Sequence, residues 1–194
     1  MVGGTFTTFD GSPQLRLVRL NSDGTKDESF NLKEGFDGEV KAIFRQSSGK
    51  FLIGGDFQTY VNKFNPGIIQ LDINGLKRDD EFDIGEGFNG TVFISKRQND
   101  GKIILGGLFT EFNGITVNNL ARLNVDGSLD NSFNIGTGFN LNVYDISLSP
   151  LGNIYAAGNF RQFNGEVAER IIRLNPDGSK DESFDTGTGF NNIT

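Results

Sequence analysis

A glycine-rich run in the middle of the sequence matches, letter for letter, a fingerprint for dinucleotide binding. Residues 85–90 read G-x-G-x-x-G. In a dinucleotide site such a run joins a strand to a helix whose N-terminus meets the pyrophosphate. No helical period follows here, and the equivalent runs at 136–141 and 187–192 lack the third glycine. We therefore interpret the run as a turn and not as a phosphate site.

Oxygen-bearing side chains form a second pattern, Asn-x-Asp-Gly-x-x-Asp, which resembles part of a calcium loop. It occurs at 21–27, 124–130 and 175–181. A calcium loop of this kind begins with Asp and ends with a bidentate Glu, whereas Arg19 and Phe30 occupy those places in the first copy. The short supply of ligands favours a hairpin turn, in which Asp-Gly supplies positive φ angles and carboxylates accept from backbone N–H groups. Calcium binding remains the alternative.

Arginines recur beside apolar residues, each eight positions before a repeated aspartate. The predicted pairs are Arg19 with Asp27, Arg122 with Asp130, and Arg173 with Asp181. A guanidinium next to a packed strand needs a partner, so ion pairing is the favoured role. Projection of the arginines into a binding surface is the alternative.

Composition excludes several kinds of chemistry. With no His and no Cys, the chain has no conventional Ser-His-Asp or Cys-His pair and no usual zinc ligand set. Carboxylates could serve a glycosidase, but none departs from its repeat copies in the way that an active site should. A net charge of −7 with scattered cations argues against nucleic acid and anionic membranes as partners. We therefore predict that the protein is not an enzyme and holds no cofactor.

Few segments depart from the repeated pattern. They are the loop at 60–66, the charged run at 77–81, and Arg161-Gln162 together with Glu166 and Glu169. Solvated surface variation explains them, and ligand binding is the alternative because loops carry function more often than scaffold strands do.

The elements that position these residues come from a repeat of 51 to 52 residues. Four marks share this period. Gly-x-Phe ends at Phe6, Phe57, Phe109 and Phe160. Arg-Leu-Asn-x-Asp-Gly ends at Gly24, Gly127 and Gly178, with a variant at 70–75. Asp-x-Ser-Phe ends at Phe30, Phe133 and Phe184, with a looser copy at 79–82. Gly-Phe ends at Phe36, Phe88, Phe139 and Phe190.

Each unit shows four short strands separated by turn signals. In the second unit the strands are predicted at 40–45, 50–54 and 68–72, with a short fourth strand near Phe82. Strands such as 171–174 carry apolar residues on both faces, which requires cover on both sides. A four-stranded antiparallel unit of this length, covered on both faces, predicts an all-β fold built from β-propeller blades.

The repeat also predicts the domain organisation. We expect a single repeat domain over 1–194, with a partial blade at 1–37, blades at 38–89 and 90–140, and a blade plus the start of the next at 141–194. This is about 3.75 repeats, and closed propellers hold about 4 to 8 blades. We favour the interpretation that the chain is a piece of a larger ring. A unit completed by other subunits is the second alternative, and a four-bladed ring that lacks one strand is the third.

Three segments carry a resemblance to a known family. They are Gly-Gly-Leu-Phe at 106–109, the stretch 120–130, and Asp-Gly-Lys-Ile-Ile at 100–104. On these motifs the chain resembles the delta-60 repeat family, a β-propeller-like repeat of bacterial surface or secreted proteins and some phage proteins. Gln70 and Asn74 depart from the pattern. The resemblance implies a propeller fold and an extracellular, cell-surface or virion location, and it implies no catalytic residue.

Repeat, composition and resemblance together predict a non-catalytic structural or interaction module of a bacterial surface-exposed protein or phage virion. The alternative is a glycan-binding propeller that acts in adhesion or host recognition. The expected partners are other protein subunits or further blades of the same protein, with a surface glycan as the alternative. Export would need a signal that the chain does not show, because its first residues lack a charged-then-apolar pattern.

Overall fold

The chain folds into antiparallel β-sheets, in a computed structural model that describes residues 1–30, 32, 34–46, 48–77 and 81–191. The predicted all-β fold class is confirmed. None of the described residues forms a helix long and apolar enough to cross a bilayer.

Nineteen strands are present in the described residues. In chain order they are β1 (Val2–Gly3), β2 (Thr8–Phe9), β3 (Ser12–Pro13), β4 (Leu17–Val18), β5 (Glu39–Arg45), β6 (Phe51–Asp56), β7 (Thr59–Tyr60), β8 (Lys63–Phe64), β9 (Ile68–Leu71), β10 (Thr91–Arg97), β11 (Ile103–Leu108), β12 (Glu111–Phe112), β13 (Ile115–Thr116), β14 (Leu120–Leu123), β15 (Val143–Leu148), β16 (Ile154–Gly158), β17 (Gln162–Phe163), β18 (Glu166–Val167) and β19 (Ile171–Leu174).

Three of the repeats each form one three-stranded antiparallel sheet, which we call a blade. The strand orders are β5-β6-β9, β10-β11-β14 and β15-β16-β19. Ahead of them, β1 and β4 pair as part of a first blade. Each sheet lies within one of the ranges predicted for a blade, and the boundaries of those ranges stay a prediction.

The fourth strand of each repeat is shorter than the sequence predicts. It pairs with the third strand at a single bridge, such as Leu123 with Leu129. Asp130 then bonds the amide of Ser132 through its carboxylate, and this local turn ends the ladder because the side chain replaces the neighbouring strand as a partner. In the second repeat the corresponding segment includes residues 78–80, which lie outside the described residues.

A small hairpin that the sequence reasoning missed lies between the second and third strands of every repeat. The pairs are β2-β3, β7-β8, β12-β13 and β17-β18. Three of the four turns are Asp-Gly or Asn-Gly with both residues at positive φ, as at Asn113 (51°) and Gly114 (73°). This is the geometry of a type I′ hairpin, for which these dipeptides are the usual signal.

The blades stack in chain order, and the hydrophobic core lies between them. The first strand of each blade packs on the first two strands of the blade before it, as β10 does on β5 and β6. Three clusters of buried side chains fill the three interfaces. All residues of β9 in the second blade and of β14 in the third are buried, which confirms cover on both faces for these two blades. In β19 of the fourth blade, buried residues alternate with half-buried ones.

The recurring Gly-Gly pair is explained by a β-bulge. In the second and third blades the first strand slips register by one residue opposite this pair, for example between Val92 and Ile94. In the fourth blade the same slip lies opposite Ala157-Gly158. A Cβ on Gly107 would lie 2.1 Å from the carbonyl oxygen of Thr91, and one on Gly106 would lie 2.7 Å from the side chain of Val143 in the next blade. The second glycine therefore leaves room for the backbone of the bulge, and the first leaves room for a side chain of the neighbouring blade.

Candidate functional site

An aromatic triad joins each repeat to the next. The ring of Phe88 lies 4.4 Å from that of Phe109 and 4.7 Å from that of Phe112, measured between centroids. The other triads are Phe36 with Phe57 and Tyr60, and Phe139 with Phe160 and Phe163. The first ring of each triad also bridges to the third through the backbone. The repeated phenylalanines are thus used to build the core, as predicted.

Each end of the blade stack carries half of such a triad. Phe190 occupies the place of Phe139 but is 49% exposed, whereas Phe139 is 3% exposed. No ring of the described residues contacts Phe190. At the other end, Phe6 and Phe9 occupy the complementary places and are partly exposed. The two ends therefore present complementary aromatic faces.

The predicted arginine pairs are confirmed in all three repeats. Arg122 Nε lies 2.6 Å from Asp130 Oδ2, and the guanidinium lies 4.5 Å from the centroid of the Phe133 ring. The equivalent Nε–Oδ2 distances are 2.8 Å for Arg19 with Asp27 and 2.7 Å for Arg173 with Asp181. The guanidinium is bound by a carboxylate and by an aromatic face of its own blade, so these arginines have a structural role.

These contacts lower the pKa of the paired aspartates. Burial by itself would raise the pKa of Asp130, but hydrogen bonds from Lys102, Ser132 and Arg122 outweigh it and hold that pKa far below its usual range. Hydrogen bonds from Ser183 and Arg173 lower the pKa of Asp181 to about 2. Both carboxylates are therefore ionised acceptors at any physiological pH, and neither is suited to general acid catalysis.

The calcium-like pattern forms tight turns. Asp126 Oδ1 accepts hydrogen bonds from the backbone N–H (3.0 Å) and the hydroxyl (2.7 Å) of Ser128, and Gly127 takes a φ of 91°. The same arrangement occurs at Asp23 and Asp177. Nowhere in the described residues do three or more acidic, His or Cys side chains group as they would around a metal ion.

The G-x-G-x-x-G run lies in an irregular turn that leads into β10. The amide of Gly87 donates to Asn113 Oδ1 at 2.9 Å, and the amide of Gly85 donates to Asp83 Oδ1 at 2.9 Å. A phosphate site needs such amides free and aimed at the ligand. Here the protein itself accepts from them, in agreement with the interpretation of the run as a turn.

A cleft between the second and third repeats has a different character. Its volume is about 510 Å³, and its polar and aromatic lining consists of Gln58, Phe64, Glu86, Phe88, Asn89, Glu111 and Asn113. Phe64 is 63% exposed. The amide groups of Asn89 and Asn113 are held by bonds to backbone and Thr110. No described hydrogen bond or ion pair uses the side chains of Gln58, Glu86 or Glu111, so these groups are available to a ligand.

The cleft breaks the symmetry of the repeat. The positions of Phe64, Glu86 and Glu111 are taken in the following repeats by Thr116, Thr137 and Gln162. The expectation that no carboxylate departs from its repeat copies is therefore wrong for Glu111. The second repeat is also the one whose hairpin turn lacks Gly, since Val61 (φ 50°) and Asn62 (φ 58°) stand in place of Asn-Gly. Positive φ is costly for a β-branched residue. This turn lies inside the loop at 60–66 that the sequence marked as a departure.

Several of the other departures take part in contacts within the chain. Glu166 pairs with Lys180 at 2.9 Å, and the backbone amides of Arg161 and Gln162 both donate to Asn140 Oδ1. Of the charged run at 77–81, residues 78–80 lie outside the described residues, and Glu81 pairs with Lys50.

A row of bulge side chains was missed by the sequence reasoning. Lys41, Phe93 and Tyr144 are the extra residues of the three bulges. Lys41 Nζ lies 5.8 Å from the Phe93 centroid, and the Phe93 and Tyr144 rings lie 5.4 Å apart. Their spacing of 52 and 51 residues was visible, but the residue types differ and therefore made no mark. The row joins three blades along their first strands.

A match to a protein-family model identifies the family of this chain. The model describes a β-propeller domain of unknown function, DUF5122, and it matches residues 1–30, 98–133 and 152–184, which together make up half of the chain. The chain belongs to the DUF5122 β-propeller family. The antiparallel blades of this DUF5122 chain are accordingly propeller blades. Its second repeat, which carries Gln70 and the symmetry-breaking cleft residue Phe64, lies outside the matched segments.

Comparison with other proteins adds little to the family assignment. No curated protein matches the DUF5122 chain. A solved protein of unknown function from Bacteroides caccae is similar over 83% of this chain and 71% of its own, with 13% identity and a TM-score of 0.32. A likeness of that size carries no inference about function.

Proposed function

We propose that the chain is a non-catalytic structural and interaction module, whose partner is another blade of the same repeat. The observation that carries this proposal is the half triad on the last blade. Phe190 is 49% exposed, whereas its counterparts Phe36, Phe88 and Phe139 are 1 to 3% exposed. A large apolar ring that is exposed to solvent, at a position that is buried in the three preceding repeats, marks an interaction surface.

The three internal interfaces show what such a partner must supply. Each provides a Gly-x-Phe turn and an aromatic three residues later, as Phe160 and Phe163 do for Phe139. Each also provides the two backbone amides that an Asn or Asp side chain caps, as Arg161 and Gln162 do for Asn140. Phe6 and Phe9 offer the same features on a second copy, so we expect head-to-tail association of the isolated chain.

Light scattering over a range of concentrations tests this proposal. We expect the molar mass to rise above that of one chain, and Phe190→Ala to weaken association by about tenfold or more, since truncation of a central aromatic is costly at an interface. Leu151→Ala is the matched control, because Leu151 is 86% exposed and belongs to no triad. A mass of one chain at every concentration would overturn the proposal.

The absence of catalysis is part of the same proposal. It is supported by the use of the repeated Arg, Asp and Ser side chains inside the blades, where they bond one another. We also propose that the protein needs no calcium, because the oxygens of Asp23, Asp126 and Asp177 already accept bonds within their turns. EDTA should leave the melting temperature unchanged, and a rise on addition of calcium would contradict this.

The location belongs to the proposal as well. We assign the chain to a bacterial surface-exposed protein or a phage virion, and its repeats to the delta-60 type, on the motifs at 100–109 and 120–130. Nucleic acid and membranes are not expected as partners, given the net charge of −7. Protease treatment of intact producing cells, or analysis of purified virions, checks the location; a strictly internal protein would contradict it.

Glycan binding is the second candidate function, and the cleft with Phe64 favours it. An exposed aromatic ring offers a flat apolar face to the C–H groups of a sugar. Carboxylates accept hydrogen bonds from the sugar hydroxyls, and side-chain amides both accept from them and donate to them. Screening against a broad glycan panel tests this candidate. Binding to none of the panel would exclude it without affecting the blade-docking proposal.

A further inference from the structure

The lining of the cleft between the second and third repeats carries an excess of negative charge. Among its described lining residues are two carboxylates, Glu86 and Glu111, and no Lys or Arg. The nearest cation along the chain is Lys63, which neighbours Phe64 in β8. Side chains alternate between the two faces of a strand, so Lys63 points away from the face that Phe64 presents. The cleft is therefore anionic.

Both carboxylates are open to a ligand. Glu86 and Glu111 are exposed, and neither side chain takes part in a described hydrogen bond or ion pair. This differs from the rest of the scaffold, where the repeated aspartates are bonded to Arg and Ser. It also differs from Glu34, which occupies the place of Glu86 in the preceding repeat and bonds Asn62.

The ring of Phe64 is presented by an unusual turn. Val61 and Asn62 hold positive φ without the Gly that the three sibling hairpins use. Backbone strain of this kind persists only when the surroundings require it, and it concentrates at functional sites. The strained turn and the exposed ring occur in the same hairpin, whereas the Asn-Gly hairpin of the third repeat has Thr116 in place of Phe64.

We propose that this cleft binds a sugar carrying a free amino group, a hexosamine unit of a polysaccharide. This inference rests on the glycan-binding candidate and specifies its substrate class. The C–H face of the pyranose stacks on Phe64, and the ammonium group lies between Glu86 and Glu111. An ammonium held by carboxylates makes charge-assisted hydrogen bonds, which are about twice as strong as neutral ones. The amide of Gln58 serves the ring hydroxyls.

Calorimetric titration with two matched tetrasaccharides, of glucosamine and of N-acetylglucosamine, tests the proposal at a mildly acidic pH where the amine is protonated. We expect binding of the glucosamine tetramer and at least about tenfold weaker binding of the acetylated one, because acetylation removes the charge. Added salt should weaken the first interaction and leave the second unchanged.

Three variants locate the site. Phe64→Ala, Glu86→Gln and Glu111→Gln should each weaken glucosamine binding by about tenfold. The matched controls are Val167→Ala, an exposed residue of β18 at the position that corresponds to Phe64, and Glu182→Gln; both should bind as the wild type does. All five positions are on the surface, and a thermal melt of each variant confirms that it folds.

The possible failures can be told apart. Equal affinity for the two tetramers would overturn recognition of the amine and leave glycan binding standing. Binding that survives Phe64→Ala would overturn the assignment of the cleft. Binding of neither tetramer, together with silence across the glycan panel, would overturn both the inference and the glycan candidate. Preferential binding of an oligolysine peptide would overturn the sugar in favour of a cationic protein segment.

Discussion

Arg122 donates a hydrogen bond of 2.6 Å from Nη1 to the carbonyl oxygen of Pro176, which lies in the next blade. Arg19 makes the same contact with the carbonyl oxygen of Ile73, at 2.5 Å. One guanidinium therefore closes its own blade through an aspartate and fastens that blade to its neighbour. Gln70 occupies this place in the second repeat and bonds Gln46 of its own blade at 3.3 Å, so this bond does not link the second blade to the third.

Removal of the carboxylate should matter most where the pair is buried. The side chains of Arg122 and Asp130 are 7% and 6% exposed, whereas those of Arg173 and Asp181 are 24% and 14% exposed. We expect Asp130→Asn to lower the free energy of unfolding by about 3 kcal/mol, because it leaves a buried guanidinium without a carboxylate to balance its charge. Asp181→Asn should cost clearly less. Urea unfolding measures both, and equal losses would contradict the role of burial.

Acid should destabilise the protein through the same carboxylates. The pKa of Asp130 is lowered in the folded state relative to about 3.9 in the unfolded chain. Its stabilising contribution is therefore fully present above about pH 4 and is lost as the pH falls toward the folded-state pKa, since the unfolded chain then binds the proton more readily. Melting temperatures should fall between about pH 4 and pH 2. Asp130→Asn should flatten this decline, and an unchanged slope would contradict the assignment.

The bulge should not tolerate a methyl group on the second glycine of the Gly-Gly pair. A Cβ at Gly107 would lie 2.1 Å from the carbonyl oxygen of Thr91, whereas the nearest atom to a Cβ at the equivalent Gly4 lies 3.5 Å away, in the side chain of Phe6. Gly107→Ala should therefore destabilise the fold by about 2 kcal/mol or more, through a backbone shift that overpacking forces. Gly4→Ala should be close to neutral. Thermal melts compare the two, and similar melting temperatures would show that the bulge has room.

Truncation of a triad ring should distinguish scaffold from surface. Phe139→Ala removes a ring that is 3% exposed and packs on two others, so we expect a loss of about 3 to 5 kcal/mol in unfolding free energy. Phe64→Ala removes a ring that is 63% exposed and should change stability by less than about 0.5 kcal/mol. Calorimetric melts measure both. A large loss at Phe64 would mean that this ring supports the hairpin and is not free for a ligand.

Much of the fold could be predicted because the repeat places the same residue types at the same structural positions several times. The recurrent Phe, Gly and Asp-Gly positions identified the core, the turns and the antiparallel strands, and the Arg–Asp spacing identified the ion pairs. The small hairpins were missed although Asn113-Gly114 and its counterparts signalled them, because two-residue strands leave no period to read. The fourth strand was overestimated because a side-chain turn at Asp130 competes with the ladder.

The sequence by itself determined the local structure and the blade, since these depend on contacts between residues close in the chain or repeated at a fixed interval. Only the tertiary structure decided which side chains remain available. Glu34 and Glu86 occupy the same place in neighbouring repeats, yet the carboxylate of Glu34 bonds Asn62 and that of Glu86 is open beside Phe64. Availability depends on packing between neighbouring blades, and the bulge row of Lys41, Phe93 and Tyr144 likewise exists only where three blades meet.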